Sequence, residues 1–211
     1  MWFGDDLVYQ CPNCKKTFYK PTLLSGNSGG AKIFSDTFSE EPMNPEWADI
    51  TKCTNCNTIL WLYKMETLDS KEFTQRFGEI NWKETPTVSY LKLEDYIDII
   101  ENKVYETKED EIFIRIRTVW AFNDRVRKGE KLFENKKEEQ IWTENKIRLI
   151  EILNFENFEH RVLLADLYRN AGDFQISSAI ISSIENEEYN WIKPHYERQI
   201  KKGNRFVFQL I

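Results

Sequence analysis

Two different periods of apolar and polar positions divide the chain. Up to about residue 66, apolar residues come in short runs between turn formers. Val8-Tyr9-Gln10 leads into one cysteine pair and Thr17-Phe18-Tyr19 leaves it. Ile50-Thr51-Lys52 leads into a second pair, and Thr58-Ile59-Leu60-Trp61-Leu62-Tyr63 leaves that one. Short runs rich in β-branched and aromatic residues, bounded by turn signals, predict strands. Between the pairs, Ser25-Gly26-Asn27-Ser28-Gly29-Gly30 predicts a loop, Ala31 to Phe34 a strand, and Pro42, Asn44 and Pro45 another turn.

From residue 91 the period becomes helical. Leu93, Tyr96, Ile97 and Ile100 follow i, i+3, i+4, i+7 spacing. Thr107 and Asp110 predict a capping box for a long helix with Ile112, Ile116, Val119, Trp120 and Asn123 along one stripe, ending at Gly129. Further helices are expected near 136–153, with Trp142, Leu149, Ile150 and Leu153 inward, and near 157–170, 174–185 and 187–201. Gly203 ends the last, and Arg205 to Gln209 alternates like a terminal strand. The expected fold class is α+β: a β zinc ribbon over 1–66 with a Gly/Ser-rich inserted loop, a connector over 67–90, and an all-α domain over 91–211 on which the ribbon packs.

The chemistry sits in Cys11-Pro12-Asn13-Cys14 and Cys53-Thr54-Asn55-Cys56. Two residues inside each pair let both sulfurs converge on one ion, and flanking strands bring the pairs together. Four thiolates suit zinc and leave no open position for water, so Cys11, Cys14, Cys53 and Cys56 are expected to hold one structural Zn2+ per chain. A dithiol redox pair would want a single C-x-x-C at a helix start. An iron–sulfur cluster needs the same four thiolates and is not separated by residue type.

In the helical half, Leu164, Ala165 and Tyr168, then Gly172, Phe174 and Ser177, resemble the first helix, turn and second helix of a tetratricopeptide repeat. Small residues at 165 and 177 let two helices approach closely. With the two cysteine knuckles, the Leu24-Ser25-Gly26-Asn27 loop and Ala31-Lys32-Ile33, the layout resembles uncharacterised bacterial proteins in which a four-cysteine zinc ribbon precedes tetratricopeptide-like helices. The resemblance implies architecture and carries no activity with it.

Composition narrows the function. The 211 residues carry 29 Lys and Arg against 35 Asp and Glu, a net charge of −6. That balance argues against general nucleic-acid binding, which needs clustered basic residues. No apolar run reaches the length of a membrane span, and Met1 to Asp6 lacks the basic start of a signal peptide, so a cytoplasmic protein is expected. The expected function is a non-catalytic, zinc-stabilised protein–protein interaction module, an adaptor or immunity-type protein, whose partner is another protein. The alternative is a nucleic-acid-binding zinc ribbon using Lys15, Lys16, Lys20, Lys32 and Lys52, although residues 1–63 hold five basic and seven acidic residues.

No small-molecule substrate is evident and no enzyme is expected. His160 and His195 lack a nucleophile or paired carboxylate at useful spacing. Arg115, Arg117, Arg125, Arg127 and Lys128 around Trp120 and Asn123 read as a solvated face, or as an anion contact. Glu138-Glu139 and Glu187-Glu188 read as solvated acids, and Gly29-Gly30 lacks the Lys-Ser/Thr of a phosphate loop. Trp2, Phe3, Trp47, Trp61, Trp82 and Trp191 are expected mostly to bury, with any exposed group marking a partner surface.

Overall fold

The protein is described by a computed structural model covering residues 2–44, 48–68 and 85–211. It is α+β: N-terminal β-hairpins with a four-cysteine cluster, then an all-α region of six helices among the described residues. Trp47, Trp82 and most of the expected connector lie outside the described residues. No helix among them is long and apolar enough to cross a membrane.

The described residues fall into two compact units, and their boundary is not linear in sequence. One unit lies within Met1–Gly30 and Glu41–Leu91, the other comprises Ala31–Glu40 and Lys92–Ile211. The expected ribbon domain ran unbroken to residue 66. Ten residues of it, Ala31–Glu40, instead belong with the helices.

The first unit is built from two equivalent hairpins and one extra. Strands β2 (Leu7–Gln10) and β3 (Thr17–Lys20) pair antiparallel, with Tyr9 opposite Phe18. Strands β7 (Ile50–Lys52) and β8 (Ile59–Trp61) pair the same way. Strand β1 (Trp2–Phe3) pairs with β4 (Leu23–Ser25). Residues 86–89 stitch the two cysteine hairpins together. Tyr19 N–H donates to Pro86 O at 3.0 Å and Val88 N–H to Tyr19 O at 2.9 Å, while Thr51 Oγ1 donates to Ser89 O at 2.9 Å. The enclosed core is small: Tyr9, Phe18, Leu60 and Leu62 around Cys11 and Cys53. Trp2 and Phe3, expected to bury, are 74% and 57% exposed on β1.

In the second unit, strands β5 (Lys32–Ile33) and β6 (Ser39–Glu40) form a hairpin ahead of helices α1 (Leu93–Glu101), α2 (Lys108–Arg127), α3 (Lys136–Ile152), α4 (Phe158–Ala171), α5 (Phe174–Ser182) and α6 (Ile192–Lys201). The capping box at Thr107 forms as expected: Asp110 N–H donates to Thr107 Oγ1 at 3.1 Å and Thr107 N–H to Asp110 Oδ2 at 3.0 Å. Gly129, Gly172 and Gly203 follow helices with positive φ, where glycine carries no Cβ penalty. Val119, Phe122, Trp142, Leu149, Leu163 and Leu167 form the centre of the apolar core.

Helix α2 departs from the single stripe expected for it. Ile114, Thr118, Val119, Phe122 and Asn123 are buried, while Ile112, Ile116 and Trp120 are only half-buried. A helix covered on more than one face loses the clean periodicity that one buried face imposes. The expected terminal strand is also reduced. Residues 206–211 run extended beside β5 with one bridge, Phe34 to Gln209, and Leu210 N–H donates to Ile33 O at 2.7 Å.

The basic stretch on α2 does not form a solvated face. Arg115 pairs with Glu111 at 2.9 Å, Arg125 with Glu138 at 2.6 Å, and Arg127 with Asp36 and Asp124. Glu138, expected to be solvated, is mostly covered by its bidentate pairing with Arg125, whereas Glu139, Glu187 and Glu188 are exposed. Glu111 takes two hydrogen bonds from Arg148 and one from Arg115.

Those bonds, Arg148 first, outweigh the cost of burial and bring the Glu111 carboxyl down to about 2 from 4.5. A carboxyl lowered on folding contributes stability that is fully present above its unfolded value and lost as pH falls toward the folded one. The contribution, on the order of 3 kcal/mol, should therefore disappear between about pH 4.5 and pH 2. Urea unfolding followed by helical circular dichroism should show Glu111→Gln weaker than the parent at pH 6 and converging with it at pH 2. Parallel curves across that window would contradict the assignment.

Candidate metal centre

Each cysteine pair occupies the turn of a hairpin, and the two turns are built alike. Cys11 N–H donates to Lys16 O and Lys15 N–H to Cys11 O, both at 2.9 Å. Cys53 N–H donates to Thr58 O and Asn57 N–H to Cys53 O, again both at 2.9 Å. The residue after the second cysteine is left-handed in both, Lys15 at φ 63° and Asn57 at φ 59°. Asparagine tolerates that region better than lysine does. Lys15 Nζ also donates to Pro12 O at 2.8 Å, closing the first turn over itself.

The four sulfurs converge. All lie within 4.8 Å of one another, with Cys11 to Cys56 and Cys14 to Cys53 each at 3.6 Å. A disulfide would place a pair at about 2.05 Å. Four thiolates around one ion at about 2.3 Å would be separated by about 3.8 Å along each tetrahedral edge. The observed spacing fits the ion. The four cysteines can hold one metal ion, and they form the one such group of Cys, His, Asp and Glu among the described residues.

Hydrogen bonds divide the thiols by position. Cys11 and Cys53 are buried, while Cys14 and Cys56 are partly exposed. A backbone hydrogen bond at Lys16 holds the Cys14 thiol below the ordinary range. The Thr58 side chain, and then its backbone, bring Cys56 down to about 6. Thr58 Oγ1 lies 3.1 Å from Cys56 Sγ and accepts from Asn13 Nδ2 of the other turn at 3.1 Å, so its hydroxyl proton is free to point at the sulfur. Burial pushes Cys53 up to about 11. Donors aimed at a ligating sulfur orient it and stabilise its thiolate form. The sequence reading missed Thr58 and Asn13, although both lie within two residues of a cysteine.

Other sequence candidates lie outside this cluster. His160 Nδ1 accepts from Asn154 N–H at 3.2 Å and burial lowers its basicity; His195 stands edge-on to Trp191. Lys20 pairs with Asp49 at 2.6 Å, and Lys32 belongs to the helical unit, paired with Glu40 at 3.0 Å. No protein-family model, curated protein or solved structure matches the chain.

Removing the Thr58 hydroxyl should raise the Cys56 thiol. In reduced, metal-free protein, the alkylation rate of Cys56 against pH, resolved by peptide mass spectrometry, should shift upward from about pH 6 in Thr58→Val. An unshifted profile would remove Thr58 as the cause.

Proposed function

We propose that Cys11, Cys14, Cys53 and Cys56 hold one structural zinc ion, and that the protein is a non-catalytic protein–protein interaction module of the adaptor or immunity type. The convergence of four sulfurs within 4.8 Å supports the metal reading. Zinc's borderline-soft character suits an all-thiolate set, and a closed tetrahedron leaves no position for a reacting water. An iron–sulfur cluster would spread its thiolates over separate irons, which the 3.6 Å spacings do not favour. A structural ion supplies about 10–16 kcal/mol in small zinc domains, ample for a core of a few side chains.

Two observations support the interaction reading. Trp2, Phe3 and Leu24 on the β1–β4 hairpin leave a cluster of large apolar side chains exposed, and such residues are enriched at interface hot spots. In the helical unit, α4 and α5 form a close helical hairpin with Ala165 and Ser177 fully buried and Gly172 at φ 95° in the turn. That arrangement matches the tetratricopeptide-like placement of Leu164, Ala165, Tyr168, Gly172, Phe174 and Ser177, a scaffold suited to presenting a helical face.

Elemental analysis should find about one zinc per chain, and Cys53→Ser should abolish stoichiometric loading and lower the melting temperature. Absence of metal from reduced, freshly purified protein would end the metal reading. Affinity purification should recover a stoichiometric protein partner, and Trp2→Ser with Leu24→Ser should reduce recovery while changing stability by no more than about 0.5 kcal/mol. Recovery untouched by those changes would remove this surface as the docking site.

A further inference from the structure

The ten residues that the helical unit borrows lie between the second and third cysteines. Within that unit they are held by buried polar contacts. Ser35 and Asp36 have no exposed surface. Asn123 Nδ2 donates to Asp36 Oδ2 at 2.8 Å, Arg127 Nη2 pairs with the same oxygen, and Trp120 Nε1 donates to Asp36 O at 2.8 Å. Tyr196 Oη donates to Ser35 O at 2.8 Å, and Ser35 N–H donates to Phe208 O at 2.9 Å. A carboxylate buried this fully is tolerated only while its partners stay in place. The hairpin is therefore a plug that completes the helical core.

Its stem is held by the other unit. Asn27 N–H donates to Met43 O at 3.3 Å, and a Cβ on Gly26 would stand 2.6 Å from that same Met43 oxygen, so only glycine fits. Both strands of the stem thus leave a unit whose own order rests on the cysteine cluster.

We propose that the hairpin is a metal-dependent latch: loading the four-cysteine site strengthens docking of Ala31–Glu40 into the helical unit, and docking in turn tightens metal binding. This rests on the metal reading above. The coupling runs through the chain. With the cysteine unit ordered, the stem is already clamped and docking closes only a short loop. With the unit loosened, docking must close the 51 residues of 41–91 between hairpin and helices. Loop-closure entropy grows with the logarithm of length, and the difference is worth roughly a tenfold change in the docking equilibrium. Linkage requires the same factor in metal affinity.

Hydrogen exchange on the full chain, with zinc and after chelation, tests this while elemental analysis reports loading. The amides of Ser35, Phe208 and Leu210 should exchange about tenfold faster after zinc removal, while core amides of α3 and α4 keep their rates. Trp120→Phe removes one bond to the latch and should weaken zinc by a few-fold in a competition titration, with the helical circular dichroism unchanged. Asp36→Asn, if it folds, should weaken zinc further. Metal that leaves without any change at Ser35, Phe208 and Leu210 would overturn the latch alone, as would equal acceleration throughout α3 and α4. Protein that never carries metal would overturn both this and the reading beneath it.

Discussion

Four thiols held within 4.8 Å of one another make a demand that packing alone does not meet. As thiolates they repel, and as thiols they fill a core with weak donors. One cation resolves both, and the hairpins around it are built for that outcome. Each turn repeats the same two backbone bonds and the same left-handed residue, so the two cysteine pairs reach the centre with matched geometry. The apolar residues on those hairpins are too few to impose such precision themselves. Everything else in the first unit is arranged to present four sulfurs.

The helical unit answers a different constraint. Its centre holds two buried ion pairs, Asp36 with Arg127 and Asp166 with Arg169. Burial raises the Asp36 carboxyl, a cost its partners offset only in part. Arg169 has no exposed surface and gives its Nη1 proton to Asn204 O at 2.5 Å while stacking on Phe208. Such pairs are poor sources of stability compared with apolar packing, but they penalise any arrangement that separates the partners. Here the partners come from the hairpin, from α2, from α4 and from the C-terminal tail. The network therefore specifies one arrangement of four segments distant in sequence.

Sequence reasoning reached what local chemistry determines. The cysteine spacing, the Thr107 box and the glycine stops each announce themselves within a few residues. The single-stripe reading of α2 failed because a helix buried on several faces has no one periodic stripe. The arginines of α2 looked solvated because their partners, Asp36 and Glu138, are not neighbours within the helix. Nothing near Ala31–Glu40 marks it as part of the helical unit, since a Ser-Asp turn is ordinary in a surface loop. Its role depends on where Asn123, Arg127 and Tyr196 end up, which is a tertiary fact.

The interleaving of the two units bears on how such a chain can change over evolutionary time. Domains that occupy contiguous stretches are shuffled by a single recombination event. Here a breakpoint at any one peptide bond divides at least one unit, because their boundaries fall at three places, after residues 30, 40 and 91. The metal-binding half and the helical half are consequently inherited as one cassette, and a descendant that keeps either intact has to keep both.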